Sequence, residues 1–412
     1  MTDHDTTIGV ARPGDWTEIA AMLSSVFHDA TPAESQEIDG RTFEPDRSLL
    51  VRDGGAVVAH AGAYTRELTV PGAVLPAAHV TQVGVAPTHR RRGLLTRLMH
   101  RQLREVHAAG REPLAVLWAS EGRIYPRFGY GLAAQRLAVE ADLGELELTG
   151  GTAAPGAGRL RLAEPETVRA ELAAVHDRLR PYRPGWSSRD ERWWHRLLAD
   201  PPALREGATA RRAVLYEGPD GVDGYALFRT RGSWDHRGPR GEVVVGELAA
   251  DGPGAYAALW RFLLTVDLAR DLSFRFAAVD EPVQHLVDEP RRLGTRLLDC
   301  LWLRIVDVPA ALAARRYATG VDVVFEVTDD LLPANAGRWR LTGDAAGARC
   351  DRTGQPADLA CDVRDLAAVY LGGPGLGALT AAGRVRELRP GAAVRAGAAF
   401  GWHRAPVSQE IF

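Results

Sequence analysis

Residues 83–99 read VGVAPTHRRRGLLTRLM: an apolar run stopped by Pro87, a turn carrying Arg90, Arg91 and Arg92, then Gly93 and a stretch with helical spacing. A strand that ends in a basic turn and feeds a helix is a natural anion site. The first amides of such a helix have no intrahelical acceptor. The helix dipole adds about half a positive charge at that end, and arginine guanidinium groups pair bidentately with phosphate. Gly93 lets a ligand approach the backbone closely. Together these features form a cradle for a pyrophosphate. Three adjacent arginines alone are more often a solvated turn; the strand before them and the helix after them favour the cradle.

Outward from this segment, strand and helix signals alternate. Upstream, SLLVRDGGAVVAHAGAYTREL places two apolar runs around Asp53-Gly54-Gly55, a hairpin with a tight turn. VARPGDWTEIAAMLSSVF reads as a short strand, a turn and a helix capped at Asp15. Downstream, Leu95, Met99, Leu103 and Val106, with Leu98 beside them, form one face of a helix that Gly110 ends. PLAVLWAS is then a short apolar strand. Thr149 to Gly158 (TGGTAAPGAG) reads as a linker. Beyond it the order repeats: the hairpin AVLYEGPDGVDGYALFRTRG, the strand-turn-helix VVVGELAADGPGAYAALWRFLLTVDLA and the strand LSFRFAAV. In this second copy ADGPGAY stands where APTHRRRGLL stood, so a duplication that has lost its anion site is the expected origin. The last quarter (VDVVFEVTDD, GRWRLTG, ADLACDVRDLAAVYLGG, ALTAAGRVREL) suggests strands with helices packed on them. The expected class is α/β, with an α+β unit at the end, divided into residues 1–148, 149–304 and 305–412.

The bulk composition sets limits. The chain has 412 residues, 46% hydrophobic and 25% charged, with a net charge of −3. That balance fits a soluble globular protein and offers no global electrostatic case for nucleic acid. No run of about 18 uninterrupted apolar residues predicts a membrane span, and MTDHDTTIGVARPGDW lacks the basic and apolar regions of a signal peptide. Cys300, Cys350 and Cys361 match no metal or redox spacing, so no metal is expected and a reducing cytoplasm is the expected compartment.

The turn resembles the cofactor signature Gln/Arg-x-x-Gly-x-Gly/Ala of the GNAT superfamily of N-acetyltransferases, read here as Arg90-Arg91-Arg92-Gly93-Leu94-Leu95 with Leu95 in place of the last small residue. The next segment sharpens the likeness: Ala119-Ser120-Glu121-Gly122, Ile124-Tyr125 and Arg127-Phe128-Gly129-Tyr130-Gly131. With VAPTHRRRGLL, WSSRDERWWHRLLADP and AGRVRELRPGAAVRAGAAF, they resemble the Eis family, in which two apolar residues follow the glycine. The resemblance implies tandem acetyltransferase domains, the second degenerate, then a sterol-carrier-protein-like domain. It implies acetyl-CoA as co-substrate, acetylation of amines on aminoglycosides and other polyamines, and a homohexamer. By the same resemblance, backbone groups of Val83, Gly84 and Val85 would bind the pantetheine arm. Arg91, Arg92, Gly93, Leu94, Leu95 and Thr96 would hold the pyrophosphate, and Ser120 and Glu121 would lie beside the cofactor. Tyr125 would be the general acid and the C-terminal carboxylate of Phe412 the general base.

The chemistry agrees in part. A phenol has a reference pKa of about 10 and a thiol about 8.5, so proton delivery to a leaving thiolate is slightly uphill. A terminal carboxylate, at about 3.3–3.7, is far below an alkylammonium and would act through water or by stabilising developing charge. Read without the family, Tyr125 between Ile124 and Phe128 would be a packed aromatic, and a chain end would fray; the apolar end EIF argues against fraying. His60 and His79 lie in strand segments that could face the cleft, whereas His195 and the Trp193-Trp194 pair read as packing on a helix. A non-catalytic carrier of a lipid or small ligand is the alternative in another class, and a tandem acyltransferase for another amine the nearer one.

Overall fold

The hairpin expected at Asp53 forms in the computed structural model of the chain, which describes residues 7–28, 32–149 and 158–412. Asp53 pairs with Ala56 across Gly54 and Gly55, whose φ angles of 57° and 89° are those a two-residue turn of this hand requires. The expected linker falls largely on 150–157, outside the described residues.

In chain order the first elements are β1 (Ile8–Val10), α1 (Trp16–Phe27), α2 (Ala33–Gly40), β2 (Leu49–Asp53), β3 (Ala56–Val70), β4 (Ala73–Val85), α3 (Leu94–Ala109), β5 (Leu114–Leu117) and β6 (Gly131–Leu132). Then follow β7 (Gln135–Asp142), β8 (Arg159–Ala163), α4 (Arg169–Leu179), α5 (Glu191–Leu198), β9 (Arg212–Gly218), β10 (Gly221–Arg231), β11 (Trp234–Asp235), β12 (Gly238–Pro239), β13 (Gly241–Ala250), α6 (Pro253–Leu264), β14 (Ala269–Ala278) and β15 (Arg296–Asp299). The last are β16 (Trp302–Ile305), α7 (Val308–Ala314), β17 (Val321–Thr328), β18 (Gly337–Gly343), β19 (Ala348–Arg352), β20 (Leu359–Asp362), α8 (Val363–Val369), α9 (Leu376–Ala381), β21 (Val385–Glu387) and α10 (Ala392–Phe400).

The chain divides into two compact units: residues 1–134, 300–403 and 411–412 form one, residues 135–299 and 404–410 the other. The first contains a seven-stranded sheet in the order β1-β2-β3-β4-β5-β16-β6 and a five-stranded sheet β19-β18-β17-β20-β21. The second contains the seven-stranded sheet β15-β7-β14-β13-β10-β9-β8. The pairings cross the expected divisions of the sequence: β7 pairs antiparallel with β14 and β15, and β16 pairs with β5 and β6 in the first sheet.

Local signals account for the elements around the anion turn. Of the face its spacing predicts, Leu95 stays half-buried while α3 buries Met99, Leu103 and Val106, with Leu98 beside them, and Gly110 closes it with φ 64°. Burying each of these side chains contributes roughly 1.5–3 kcal/mol. Asp15 does stand before α1, but its carboxylate accepts the Arg12 amide and pairs with Arg52, so it does not cap the helix. Gly131 is forced by packing: a Cβ there would sit 2.0 Å from the Arg364 carbonyl oxygen, at the start of α8. Among the described residues no helix is long and apolar enough to cross a membrane, and the three cysteines are buried free thiols.

Candidate active site

The site begins with a fault in a sheet. On β3, His60 faces Gly84 of β4 and Gly62 faces Thr81, so Ala61 stands opposite both Gln82 and Val83. Gln82 takes the left-handed φ of 54° that this bulge needs. The His60 Nδ1–H donates to the Gln82 carbonyl at 2.8 Å and ties the bulge down. Burial lowers the His60 pKa to about 4, the Gln82 carbonyl opposing, so the ring is neutral and serves the backbone. β4 and β5 run parallel only from Ala77 opposite Leu114 to His79 opposite Val116. Past the bulge they part. Val83, Gly84 and Val85 thus keep one edge on β3 and turn the other toward a cleft of about 540 Å³. An edge of free amides and carbonyls can bind an extended amide chain as an added strand.

At the end of β4 the chain makes a short 3-10 turn at Pro87–His89 and enters α3. The His89 ring bridges the Thr88 hydroxyl at 2.8 Å and the Asp53 carboxylate at 2.9 Å, fixing that turn to the hairpin. Arg91 (φ 63°) and Gly93 (φ 75°) both adopt left-handed backbone, the conformation in which successive amides curl into an anion-binding concavity. A Cβ on Gly93 would meet nothing within 4 Å. The glycine is there for its φ, and the space above it is open to a ligand. Arg90, Arg91 and Arg92 are all exposed; Arg90, Arg91 and His89 line the cleft, Arg92 does not. Arg91→Ala should therefore raise KM for acetyl-CoA by about tenfold, the loss of one charge-assisted contact, and Arg92→Ala should do less; steady-state titration of the cofactor measures both.

The other wall follows β5. Ser120 and Glu121 line the cleft, and a 3-10 turn, Tyr125–Phe128, carries Tyr125 into it. The Tyr125 ring is 5% exposed and packs edge-on against Tyr130 at 5.9 Å, so it is a core aromatic as well as a cleft residue. Burial pushes its phenol up to about 12; the Glu121 carboxylate adds to this and Arg127 opposes it.

The C-terminus is packed. Phe412 is 7% exposed, its ring edge-on to His79 at 4.7 Å. His79 is fully buried, its Nδ1 on the Ala77 carbonyl at 3.0 Å, and it is the last residue of β4 paired with β5. Phe412 therefore lies against the residue at the apex of the fork, although it is not part of the cleft's own lining.

The cleft thus gathers Val83, Gly84, Val85, Arg91, Gly93, Leu94, Leu95, Thr96, Ser120, Glu121 and Tyr125, and leaves out Arg92 and Phe412. It adds Val26 and Phe27 from the end of α1, with His89, Arg90, Ile124 and Arg127. Adjacency to the motif could have suggested the last four. Val26 and Phe27 carry no signal except an apolar helix end, with Phe27 47% exposed. Trp193 and Trp194 are buried on α5 of the second unit, with Trp194 under the Arg189 guanidinium.

Residues 7–133 match the family model of an acetyltransferase (GNAT) domain, residues 185–305 a second acetyltransferase (GNAT) model, and residues 308–409 a sterol carrier protein domain. An uncharacterized N-acetyltransferase of Streptomyces avermitilis is 47% identical over 97% of this chain and 98% of its own. The N-acetyltransferase Eis of Mycobacterium tuberculosis is 37% identical over 90% of this chain and 91% of its own. The crystal structure of Eis1 from Mycobacterium abscessus, 33% identical, covers 99% of this chain and 100% of its own with a TM-score of 0.84.

Proposed function

The chain belongs to the Eis family of GNAT N-acetyltransferases, and from that premise we propose that it moves the acetyl group of acetyl-CoA to amines of aminoglycoside-like or polyamine substrates, with Tyr125 as acid and the carboxylate of a chain ending at Phe412 as base. The observation that carries this reading is the fork. A strand edge at Val83–Val85, the left-handed turn at Arg91 and Gly93, and Tyr125 line one cleft. The residues present fit the co-substrate. The edge suits an amide-bearing arm, the turn and the start of α3 suit a pyrophosphate, and the open space over Gly93 admits it. When bound, acetyl-CoA supplies the thioester; everything else is done by the chain.

The proton accounting assigns each group its task. A neutral amine must attack, and one proton must leave it while one reaches the departing thiolate. With Tyr125 at about 12 and a thiol at about 8.5, full transfer from the phenol is uphill by roughly 5 kcal/mol. Tyr125 therefore acts first as a hydrogen-bond donor that stabilises thiolate charge as it forms. The Phe412 carboxylate accepts the amine's proton through water as the charge on nitrogen develops. That proton then passes to the thiolate by way of the hydrogen-bonded phenol, so the proton the amine loses ends on the thiol and Tyr125 and the carboxylate finish as they began. Assembly as a homo-oligomer, a hexamer by family resemblance, is part of the same reading. Exposed leucines on both edge strands of the second sheet, Leu160 and Leu162 on β8 and Leu297 and Leu298 on β15, support it. A cytoplasmic location, supported by the free thiols, belongs to it too.

The test is thiol release from acetyl-CoA against a panel of aminoglycosides, linear polyamines and simple amines. Turnover with the multiply charged amines is expected, and its absence across the panel would overturn the substrate assignment.

A further inference from the structure

The segment that carries Tyr125 has a strand to cross. In the first sheet β16 lies between β5 and β6 and runs antiparallel to both, so β5 and β6 are parallel to each other. A connection between parallel strands must pass over a face of the sheet, and residues 118–130 make that passage over β16. Side chains two apart in a strand share a face. Trp302 and Arg304 are such a pair on β16, and Leu117 and Ala115, opposite them on β5, belong to the same core as Tyr125, Phe128 and Tyr130. Each of the two meets one glycine of the crossing. A Cβ on Gly122 would sit 3.2 Å from the Trp302 ring. A Cβ on Gly129 would sit 2.6, 2.7 and 2.9 Å from Nη1, Cζ and Nε of Arg304. The guanidinium thus lies against the Gly129 backbone, where φ is 82°. Gly129 closes the turn Tyr125–Phe128: its amide donates to the Pro126 carbonyl at 3.1 Å, and the Tyr130 amide donates to the Tyr125 carbonyl at 3.3 Å.

Arg304 is itself held fast. Its side chain is fully buried, and Nη2 donates to both oxygens of Asp329, just past the end of β17, at 2.7 Å. The Asp329 carboxylate also accepts the Leu331 and Leu332 amides at 3.2 and 3.0 Å and the Asn335 side-chain amide at 2.9 Å. Asn335 returns to the end of β16, donating to the Val306 carbonyl at 3.0 Å and accepting the Val308 amide at 2.9 Å. All of these residues belong to the first compact unit. The Arg304 Nε and Nη1, on the side of Gly129, have no hydrogen-bond partner among the described residues. Desolvating two charges offsets most of what such a pair returns, so stability alone explains it poorly. Its reach explains it better. Beyond Gly129 stands Tyr130, whose pKa burial raises and the Arg304 charge opposes, and the Tyr130 ring packs edge-on against Tyr125.

We propose that Arg304, held by Asp329, is the positioning residue for Tyr125: it sets the Tyr125–Phe128 turn over β16 and, through that turn and Tyr130, aims the phenol into the cleft. The proposal rests on the reading of Tyr125 as the acid. A reacting group displaced by about 1 Å can lose about 10²-fold in rate. A turn seated on a planar group, with that group bonded to a fixed carboxylate, has little room to drift.

The experiment compares Arg304→Lys, Tyr125→Phe and the double variant, in the full chain, by steady-state kinetics with acetyl-CoA and an accepted amine and by thermal melting. Lysine keeps a charge beside Asp329 and removes the planar group under Gly129. Its kcat should fall by about 10- to 10²-fold, with KM for acetyl-CoA nearly unchanged because the strand edge and the arginine turn lie on the other wall. The double variant should be no slower than Tyr125→Phe alone, since both act through one hydroxyl. Should Arg304→Lys fail to fold, Arg304→Met combined with Asp329→Asn, which leaves no charge buried, takes its place with the same expectations. Wild-type kcat in the folded Arg304 variant beside a slow Tyr125→Phe overturns the positioning role and leaves Tyr125 as the acid. Multiplied losses in the double variant overturn it too, as does a KM for acetyl-CoA that rises in step with the fall in kcat. Failure of both replacements to fold assigns the pair to stability and overturns the role as well. A fully active Tyr125→Phe removes Tyr125 from the mechanism, and the positioning role falls with it.

Discussion

Replacing Tyr125 by Phe should lower kcat by about 10²- to 10⁴-fold, the range for losing acid–base help, with KM for acetyl-CoA and the melting temperature nearly unchanged. The ring stays and with it the edge-on packing on Tyr130; only the hydroxyl leaves. The pH dependence separates this loss from a packing defect. Burial raises the Tyr125 pKa from 10 to about 12. The folded state then holds the phenol proton more tightly than the unfolded chain does. The stability linked to that proton is intact below pH 10 and is lost as pH climbs through about 12. At neutral pH the variant forfeits none of it, so a large drop in kcat at constant stability reports chemistry. A variant with normal kcat when folded would reassign Tyr125 to the core alone.

A C-terminal tag joined directly to Phe412 should lower kcat by about 10²-fold or more, as should deletion of Phe412, while cofactor affinity holds. Deletion moves the carboxylate back by one residue, about 3.3–3.6 Å, against a tolerance near 1 Å in a reacting group. It also empties the ring site beside His79, where Phe412 is 7% exposed. A semisynthetic chain ending in a carboxamide isolates the charge: the ring remains, the carboxylate does not. Its kcat should fall with the deletion's while its melting curve follows that of the parent. Full activity in the tagged chain would leave Tyr125 without a partner base.

Local features were legible in the residues because short-range geometry decides them. Gly54-Gly55 and Gly110 announce left-handed φ and have it; Gly93, read as room for a ligand to approach the backbone, has it as well. Met99, Leu103 and Val106, with Leu98 beside them, announce a buried face and form one, whereas Leu95 of that face is half-buried and lines the cleft. The motif residues other than Arg92 and Phe412 meet in one cleft. What stayed hidden depends on partners distant in sequence. Gln82 reads as an ordinary strand residue, and only its register against Ala61 makes it a bulge. Gln135–Asp142 continues the apolar alternation of the segment before it, yet pairs in the other sheet. Glu410 has no local mark at all. It pairs with Arg189, 221 residues earlier, and a lone arginine before a helix says nothing of that. The glycines of Arg127-Phe128-Gly129-Tyr130-Gly131 read as part of a motif, but their neighbours are structural: the Arg304 guanidinium lies 2.6 Å from a Cβ at Gly129, as the Arg364 carbonyl does 2.0 Å from one at Gly131.

The sheet order β1-β2-β3-β4-β5-β16-β6 has a consequence for synthesis. β16 lies at Trp302–Ile305, and without it β5 and β6 have no strand to join them. At about 5–20 residues per second, a ribosome that has finished β6 needs roughly 10–30 s more to reach β16. For that interval the apolar edge of Leu114–Leu117 waits without its partner on a nascent chain, an adhesive surface that a holdase would shield. The first domain to be translated is therefore among the last to close.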